Sequence, residues 1–397
     1  MKESPPIKPE KYLSETGIKI PPSGIREFFD IVYTRPDCIS LGVGEPDFDT
    51  PWRISDSGIY SIKDGYTHYT PNRGLPELRE ALVKKIKQFI NISYDPSADI
   101  IITMGVSQGL DLALRSIINP GDEVIIFEPC YVSYKANIEM LHGVSIAVDT
   151  IPQEDFQINT ERLERAITPR TKALLLNYPS NPTGISINKT KLEEIAKIAI
   201  KHDLIVLSDE IYSSINYAGE HVSIASLPGM RERTIYLNGF SKSHAMTGWR
   251  LGYVCGPEFL ISTMLKIHQY TALCAPSMAQ YAALEALENG DKEVQRMITE
   301  YIRRRNFIVN GFNEALLPCR TPDGAFYVFP DIRSTGLSSR EFALKLLDSK
   351  SVAVVPGNVF GNAGEGHIRC SYATSIENIR EALSRIEAFV KERPWDF

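Results

Sequence analysis

The sequence predicts an α/β fold, in which a mostly parallel sheet flanked by helices is accompanied by a smaller α+β domain. Three observations support this prediction. From about Asp99 onward, short apolar runs alternate with amphipathic helical segments, as in strand–helix–strand units. After about Ala275 the pattern changes, and long helical segments dominate. With 397 residues, the chain also exceeds the length at which one hydrophobic core usually stops growing, about 250–300 residues.

The strands of the predicted sheet are continuous apolar runs bounded by turn residues. This pattern is typical of strands that are buried on both faces. Between them lie helical segments such as 188–201, where Leu192, Ile195 and Ile198 recur at helical spacing. Six runs have the character of buried strands: 100–102, 124–127, 173–176, 204–207, 235–237 and 251–254.

The pattern of helices and short strands in the last third of the chain predicts a smaller α+β unit. Helical patterns at 277–288 and 293–312 are followed by short strands near 325–329 and 352–355. A final amphipathic helix is predicted over 375–391.

Three segments make up the domain organisation that we predict. Residues 1–45 form an N-terminal arm and part of the small domain, because the first twenty or so residues are polar and proline-rich. Residues 46–285 form the large domain, and residues 286–397 form the small C-terminal domain.

The composition argues against several classes of protein. Hydrophobic residues form 43% of the chain and charged residues 23%, a balance typical of globular proteins. The net charge is −6 and the pI is near 5.8, so we expect no nucleic-acid or anionic-membrane partner. We expect neither a signal peptide nor a membrane span. The six cysteines are widely spaced without a C-x-x-C pair, which predicts reduced thiols and a cytoplasmic protein.

A G-x-S-x-G pattern at 105–109 has two interpretations. As a hydrolase motif, it would make Ser107 a nucleophile with an acid and a histidine as partners. His244 and His367 are available, but neither lies in a supporting motif, and an HGGG-type oxyanion loop is absent. As a glycine-rich turn at the start of a helix, the pattern would hold an anion through backbone N–H groups. We favour the second interpretation. The histidines form no zinc motif, so no metal is expected.

The most informative segment is 238–253, which begins at the end of an apolar run. Lys242 lies there among small, apolar and hydroxyl residues, and Arg250 follows it. Partial desolvation lowers the pKa of an amine, which makes Lys242 a candidate for condensation with a carbonyl compound.

Segment 238–253 resembles the lysine motif of class I and II aminotransferases, the fold-type-I enzymes that use pyridoxal phosphate (PLP). One short motif is weak support, but motifs similar to those of this family recur in the family's order over about 330 residues. The further motifs are at 41–48, 69–75, 177–184, 208–212, 324–327, 355–357 and 367–371.

The resemblance implies how PLP would be bound and used. Lys242 would hold the cofactor covalently, and Asp209 would keep its ring nitrogen protonated. Tyr212 and Asn181 would donate hydrogen bonds to the ring oxygen, and Tyr131 would stack on the ring. Lys242, Asp209 and Tyr212 are therefore the expected catalytic residues, and residues 46–285 the PLP-binding domain.

The resemblance also implies a phosphate site built from backbone N–H groups, a hydroxyl and a guanidinium group. Some branches of the family have a hydroxyl residue three positions before the lysine, where this chain has Gly239. The expected phosphate ligands are Gly105, Val106, Ser107, Ser241 and Arg250.

The substrate would be bound by a second set of residues. By resemblance, Arg369 clamps the substrate's α-carboxylate, with Gly44 and Asn181 nearby. Tyr69 resembles the residue that reaches the phosphate of a neighbouring subunit, which implies a homodimer with shared active sites.

We therefore expect a PLP-dependent aminotransferase that moves an amino group between an L-amino acid and a 2-oxo acid such as 2-oxoglutarate. The expected mechanism is ping-pong. In acid-preferring bacterial relatives a lysine is associated with the position of Ser107, so its absence favours an aromatic or neutral donor. Arg26 or another residue could supply the missing charge, so aspartate aminotransferase stays an alternative. A PLP lyase of the same fold and, more remotely, the Ser107 hydrolase are further alternatives.

Overall fold

The computed structural model describes residues 8, 11–27, 35 and 37–392. The strands within these residues are β1 (Ile39–Ser40), β2 (Ile100–Thr103), β3 (Glu123–Glu128), β4 (Val144–Asp149), β5 (Thr171–Asn177), β6 (Ile205–Asp209), β7 (Thr234–Gly239), β8 (Gly252–Cys255), β9 (Tyr327–Val328), β10 (Val352–Ala353), β11 (Val355–Pro356) and β12 (Ile368–Ser371). The α-helices are α1 (Glu15–Lys19), α2 (Trp52–Lys63), α3 (Pro76–Ile90), α4 (Gly105–Ile117), α5 (Ser133–Met140), α6 (Thr160–Ala166), α7 (Lys189–Lys201), α8 (Glu258–Thr271), α9 (Ser277–Asn289), α10 (Asp291–Glu314), α11 (Ser339–Lys350) and α12 (Ile376–Glu392).

A seven-stranded sheet in the order β2–β8–β7–β6–β5–β3–β4 forms the centre of the molecule. The strands from β7 to β4 are parallel, and β8 runs antiparallel to both β2 and β7. The predicted α/β architecture is therefore confirmed. All six predicted apolar runs form strands of this sheet.

Burial on both faces explains why these runs were recognisable. Neighbouring residues of β5 point to opposite faces, so Leu174 packs in one apolar cluster and Leu175 in another. Helix α7 covers one face through Leu192 and Ile195. The opposite cluster includes Leu114 of α4 and Met264 of α8.

The sequence pattern missed the seventh strand, β4. Among the described strands, β4 pairs with β3 alone and so lies at the edge of the sheet. Val144 is 41% exposed and Val148 is the buried residue of the strand, so no continuous apolar run marks it.

Two small sheets lie outside the central one. Strand β12 pairs antiparallel with both β9 and β11. Strand β1 pairs in parallel with β10, so a segment from the N-terminal part of the chain joins one from the C-terminal third. Leu41, just after β1, packs with residues of α10, α11 and α12 in the same apolar cluster.

The predicted helices of the C-terminal third are confirmed as α9, α10 and α12, with ends within two residues of the predicted ones. In the polar N-terminal arm, the described part contains a short helix, α1, which the sequence did not predict. Ser14 caps it by accepting a hydrogen bond of 3.0 Å from the backbone N–H of Gly17. No helix in the described parts of the chain has the length and apolar character needed to cross a membrane.

Removing a fully buried side chain of α11 should destabilise the fold. Leu346 is 0% exposed, whereas Leu316 is 76% exposed and serves as a matched control. We expect Leu346→Ala to lower the free energy of unfolding by about 2–5 kcal/mol. Leu316→Ala should change it by less than about 0.5 kcal/mol. Urea unfolding followed by circular dichroism measures both, and equal losses would contradict the assigned core.

Candidate active site

A cavity of about 470 Å³ lies where β5, β6 and β7 end. The carboxyl ends of parallel strands form one edge of the sheet, the usual binding edge in α/β proteins. Most of the residues that the sequence predicts for the site line this cavity: Gly44, Val106, Ser107, Tyr131, Asn181, Asp209, Tyr212, Ser241, Lys242, Arg250 and Arg369.

Lys242 lies in the turn that follows β7. Its Nζ donates a hydrogen bond of 2.7 Å to the carbonyl oxygen of Gly44. Burial lowers the pKa of the Lys242 amine to about 8, although the carboxylate of Glu45 opposes this effect. The guanidinium groups of Arg369 and Arg250 add to the lowering. A larger fraction of this amine is therefore neutral and nucleophilic near neutral pH than in an ordinary lysine.

Asp209 ends β6 with a buried carboxylate. Its Oδ2 accepts a hydrogen bond of 2.7 Å from the hydroxyl of Tyr134, and its Oδ1 accepts one of 3.3 Å from the backbone N–H of Ile211. Burial raises the pKa of Asp209 to about 6, and these two hydrogen bonds lower it in part. No ion pair of Asp209 is found in the described part of the chain. The carboxyl group is thus fixed in position beside the cavity, without a salt-bridge partner.

Glycines bring β7 and β8 close to the start of α4. Gly239 and Gly252 are paired across the two strands. A Cβ atom on Gly252 would lie 2.7 Å from the backbone of Gly105 and Val106, and one on Gly239 would lie 2.9 Å from the Cα of Gly252. A hydroxyl residue at 239 therefore does not fit this arrangement, which gives a physical reason for the departure from the family pattern.

Arg250 lies beside the amino terminus of α4. A Cβ atom on Gly105, whose φ is +74°, would lie 2.9 Å from Nη2 of Arg250. The Nη1 of Arg250 donates to the carbonyl oxygen of Thr247 at 3.0 Å. Arg250 forms no ion pair with any residue that the structure describes. A free guanidinium group next to the N–H groups of a helix start is well suited to an anion.

Arg369 is fully buried on β12, at 1% exposure. Its Nη1 donates to Oδ1 of Asn181 at 3.0 Å, and its Nη2 donates to the carbonyl oxygen of Gly42 at 2.6 Å. The rings of Tyr327 and Phe360 lie 4.6 and 5.0 Å from the guanidinium carbon. Its Nε has no hydrogen-bond partner, and within the described residues no carboxylate pairs with it. A buried cation without an anion is costly, so this site is suited to a carboxylate ligand.

Aromatic side chains form another part of the cavity wall. The hydroxyl groups of Tyr212 and Tyr327 lie 2.9 Å apart. Burial raises the pKa of Tyr212 well above its ordinary value, so its hydroxyl stays protonated. The rings of Tyr131 and Tyr134 meet edge to face, with centroids 5.7 Å apart. Tyr131 is thereby held at the cavity by a packed neighbour.

Two predicted residues do not line the cavity. Gly105 lies behind it, against Arg250, where its backbone starts α4. Tyr69 is 84% exposed and is not part of the cavity wall of its own chain.

The hydrolase interpretation of Ser107 finds no support in this geometry. Ser107 is exposed in the first turn of α4, and no histidine is found among the described residues that line the cavity. The described residues also contain no group of three or more side chains that could hold a metal ion.

Sequence reasoning missed several residues of the cavity wall. Tyr327 and Asn177 lie inside recognised motifs, whereas Tyr134 lies outside them. The contacts of Tyr134 to Asp209, of Tyr327 to Tyr212 and of Asn177 to the Asp209 backbone join separate parts of the chain. Tyr134 lies three residues, about one helical turn, after the predicted site residue Tyr131, and this spacing could have indicated that it also faces the cavity. Glu45 and Thr247 also line the cavity and are joined by a hydrogen bond of 2.9 Å, for which the sequence offered no signal.

The raised pKa of Asp209 predicts a pH-dependent stability effect in the cofactor-free protein. Because the folded-state pKa is about 6 and the ordinary value is 3.8, stability from this group is present below about pH 4 and lost as the pH rises through 6. We expect Asp209→Asn to stabilise the protein at pH 8 by on the order of 3 kcal/mol and to have little effect near pH 4. Urea unfolding at several pH values measures this difference.

Asp203 provides the control, because its side chain is 94% exposed. Asp203→Asn should change stability little at either pH. A destabilising effect of Asp209→Asn at pH 8 would contradict an isolated buried carboxylate.

Comparison with known proteins identifies similar chains over nearly the whole length. The family model for aminotransferase class I and II matches residues 36–386. The putative aminotransferase YugH of Bacillus subtilis is 52% identical over 96% of this chain and 98% of its own. The aspartate aminotransferase of Pyrococcus abyssi is 47% identical, over 94% of this chain and 96% of its own.

A solved structure extends the similarity to the fold. The aromatic aminotransferase of Pyrococcus horikoshii superposes with a TM-score of 0.89 and 46% identity, over 92% of this chain and 99% of that one. Family match, sequence identity and fold agree, and the chain belongs to the class I and II aminotransferases.

Proposed function

We propose that this aminotransferase binds PLP in the cavity at the ends of β5, β6 and β7. It transfers the amino group of an aromatic or neutral L-amino acid to a 2-oxo acid such as 2-oxoglutarate. One observation carries the proposal: four charged groups surround one cavity. They are the partly buried amine of Lys242, the buried carboxylate of Asp209, and Arg250 and Arg369, for which the described residues provide no carboxylate partner.

The residues present fit a phosphorylated pyridine aldehyde. Asp209 offers a carboxylate to a protonated ring nitrogen, which would remove the cost of burying it alone. Tyr131 offers a ring face, and the hydroxyl of Tyr212 a hydrogen bond to a ring oxygen. The class I and II aminotransferases, to which this chain belongs, are known to use PLP as their cofactor. Arg250 would bind the phosphate together with groups from two segments. The start of α4 offers the backbone of Gly105 and Val106 and the hydroxyl of Ser107, and the turn after β7 offers the hydroxyl of Ser241.

PLP, when bound, supplies an electron sink that makes the Cα–H bond of an amino acid acidic. The chain supplies the proton transfer, since the amine of Lys242 takes the proton from Cα and returns it as a general base and acid. The hydrogen bonds that the Asp209 carboxylate accepts from the Tyr134 hydroxyl and the Ile211 backbone N–H keep it in place during both half-reactions. The two half-reactions use the same cavity, as a ping-pong mechanism requires.

Arg369 orients the substrate through its α-carboxylate. Its guanidinium group presents a planar pair of donors, and the Tyr327 and Phe360 rings hold it from the sides. Asn181 accepts one of its N–H groups, and the backbone of Gly42 accepts another, which fixes the fork before the substrate arrives. The carbonyl oxygen of Gly44 accepts a hydrogen bond from Lys242, and that of Gly42, two residues earlier, accepts one from Arg369.

The preference for an aromatic or neutral amino donor is proposed from the remaining residues of the cavity wall. Ile25, Val43 and Val132 line the cavity, and Ser107 brings no charge to it. An apolar or aromatic side chain would bury against these residues. The related proteins are named for aspartate in some cases and for aromatic amino acids in others, as in Pyrococcus abyssi and Pyrococcus horikoshii. A PLP lyase of this fold would share the cofactor residues, but the relatives above are named as aminotransferases.

We propose a homodimer in which Tyr69 completes the site of the neighbouring subunit. Tyr69 lies outside the cavity of its own chain and is 84% exposed. Other large apolar side chains are also exposed, among them Trp52 at 72% and Tyr270 at 93%. Each of these side chains offers apolar area that a neighbouring subunit would bury.

The domain division 1–45, 46–285 and 286–397 is kept as a proposal, supported by the pairing of β1 with β10. A cytoplasmic location is proposed from the cysteines. All six have free thiols, which is the usual state in a reducing compartment.

Replacing Lys242 should abolish catalysis. We expect Lys242→Ala to lower turnover of phenylalanine and 2-oxoglutarate by at least about a thousand-fold, because general acid–base catalysis at Cα is lost. Lys189→Ala, on the surface of α7, is the matched control and should keep normal turnover. The visible spectrum of each protein with PLP follows covalent attachment. Near-normal turnover in Lys242→Ala would overturn the assignment.

The lowered pKa of Lys242 predicts how the rate of PLP uptake by the cofactor-free protein depends on pH. Only the neutral amine bonds to an aldehyde, so the uptake rate should rise with pH and level off above about pH 8. Glu45 raises this pKa, so Glu45→Gln should shift the midpoint to lower pH. Absorbance stopped-flow measures both rates. A midpoint near that of an ordinary lysine, about 10.4, would contradict a desolvated amine.

A further inference from the structure

A second cavity, of about 420 Å³, lies behind the active site. Among the described residues, none lines both this cavity and the active-site cavity. Side chains of consecutive strand residues point to opposite faces of a sheet, and the end of β6 follows this rule. Asp209 lines the active-site cavity, whereas Ser208 and Glu210, on either side of it, line the second cavity. The carboxylate assigned to the PLP ring is therefore flanked by two side chains of the opposite face.

Glu210 has a buried carboxylate that the site described so far does not use. Its Oε1 accepts hydrogen bonds from the hydroxyls of Ser208 at 2.8 Å and Ser223 at 2.6 Å. Its Oε2 lies 2.5 Å from Nε2 of His221, and the His221 ring stacks on that of Phe89 in α3, with centroids 5.9 Å apart. Such a network is often no more stable than apolar packing of the same volume, so stability alone does not explain it.

The backbone of Glu210 belongs to the turn that carries two of the predicted cofactor residues. Asp209 directly precedes Glu210, and Tyr212 follows two positions later. The N–H of Ser213 donates to the carbonyl oxygen of Glu210 at 2.9 Å, and the N–H of Ile211 donates to Oδ1 of Asp209 at 3.3 Å. A side chain fixed at Glu210 therefore restrains the backbone between the two cofactor residues.

Charge links Glu210 to Asp209 as well. Burial is the largest cause of the raised pKa of Asp209, and the negative charge of Glu210 raises this pKa further. The two carboxylates thus interact through the strand end although they face different cavities.

We propose that Glu210, held by His221 and Ser223, is a positioning residue for PLP that fixes the turn between Asp209 and Tyr212 from the opposite face of the sheet. This inference rests on the proposed function, because it concerns the cofactor assigned there. Hydrogen bonds to both oxygens restrain the Glu210 side chain, and the turn is restrained with it. Asp209 and Tyr212 then keep the separation that a ring between them requires, and small errors in such a separation slow catalysis strongly.

Glu210→Ala removes the whole network and tests this role. Titration of the cofactor-free protein should show a dissociation constant for PLP that is about ten- to a hundred-fold higher, as is usual when a partner that orients a binding residue is lost. The visible circular dichroism of the bound PLP should weaken, because the ring is held less rigidly.

A single-turnover reaction with phenylalanine separates positioning of the cofactor from binding of the substrate. In Glu210→Ala, the rate constant of the first half-reaction should fall about ten- to a hundred-fold. The dissociation constant of phenylalanine should change by less than about three-fold, because Arg369 on β12 is held by contacts outside the turn. Glu210→Gln keeps the size and one carboxyl-type oxygen, so it should restore most of the PLP affinity.

Glu123→Ala is the matched control. Glu123 is also a buried carboxylate with several donors, but it begins β3 and so lies at the opposite end of the sheet. Its partners are the hydroxyls of Thr168 and Thr171 and the guanidinium group of Arg170. Urea unfolding should show a comparable loss of stability in Glu123→Ala, while its PLP affinity and circular dichroism stay normal. Equal PLP affinity in Glu210→Ala and Glu123→Ala would overturn the role of Glu210.

Two milder variants carry the same test if Glu210→Ala does not fold. Ser223→Ala and His221→Ala each remove one contact and should raise the dissociation constant for PLP about three- to ten-fold. Unchanged PLP affinity in both would overturn the inference. If the unaltered protein binds PLP and these variants match it, only this inference fails. If the unaltered protein binds no PLP, the proposed function fails instead.

Discussion

The buried carboxylate of Asp209 is the constraint on which the rest of the site depends. It ends a central strand of the sheet, and burial raises its pKa to about 6. Among the residues that the structure describes, no cation forms an ion pair with it, and the hydroxyl of Tyr134 and the backbone N–H of Ile211 fix it in position. A carboxylate held in this way is suited to a protonated ligand atom, and the stability that it costs in the cofactor-free protein is regained when such a ligand binds.

The other charges of the cavity follow the same logic. Arg369 is buried, Arg250 lies at a helix start, and neither forms an ion pair within the described parts of the chain, so each is suited to an anion from outside. The amine of Lys242 has a lowered pKa because burial and these two arginines all disfavour its charged form.

Much of the fold and the site was predictable, and the failures have identifiable causes. Buried strands are readable because both faces are apolar, whereas β4 is an edge strand with exposed residues and was missed. Lys242, Asp209 and Arg369 were recognised from short motifs, and the cavity brings them together. Tyr327 and Glu45 were not assigned, because their roles arise from contacts to residues more than a hundred positions away.

The sequence by itself determined the α/β class, the family and the residue types that its chemistry requires, because these depend on local patterns of apolarity and on short motifs. Only the tertiary structure decided which charges lack partners, how far burial shifts their pKa values and why Gly239 replaces a hydroxyl residue. Those properties depend on the approach of distant segments, such as Gly239 to Gly252 and Gly252 to the start of α4. Desolvation and steric contact are set by three-dimensional neighbours, which no local pattern of residues specifies.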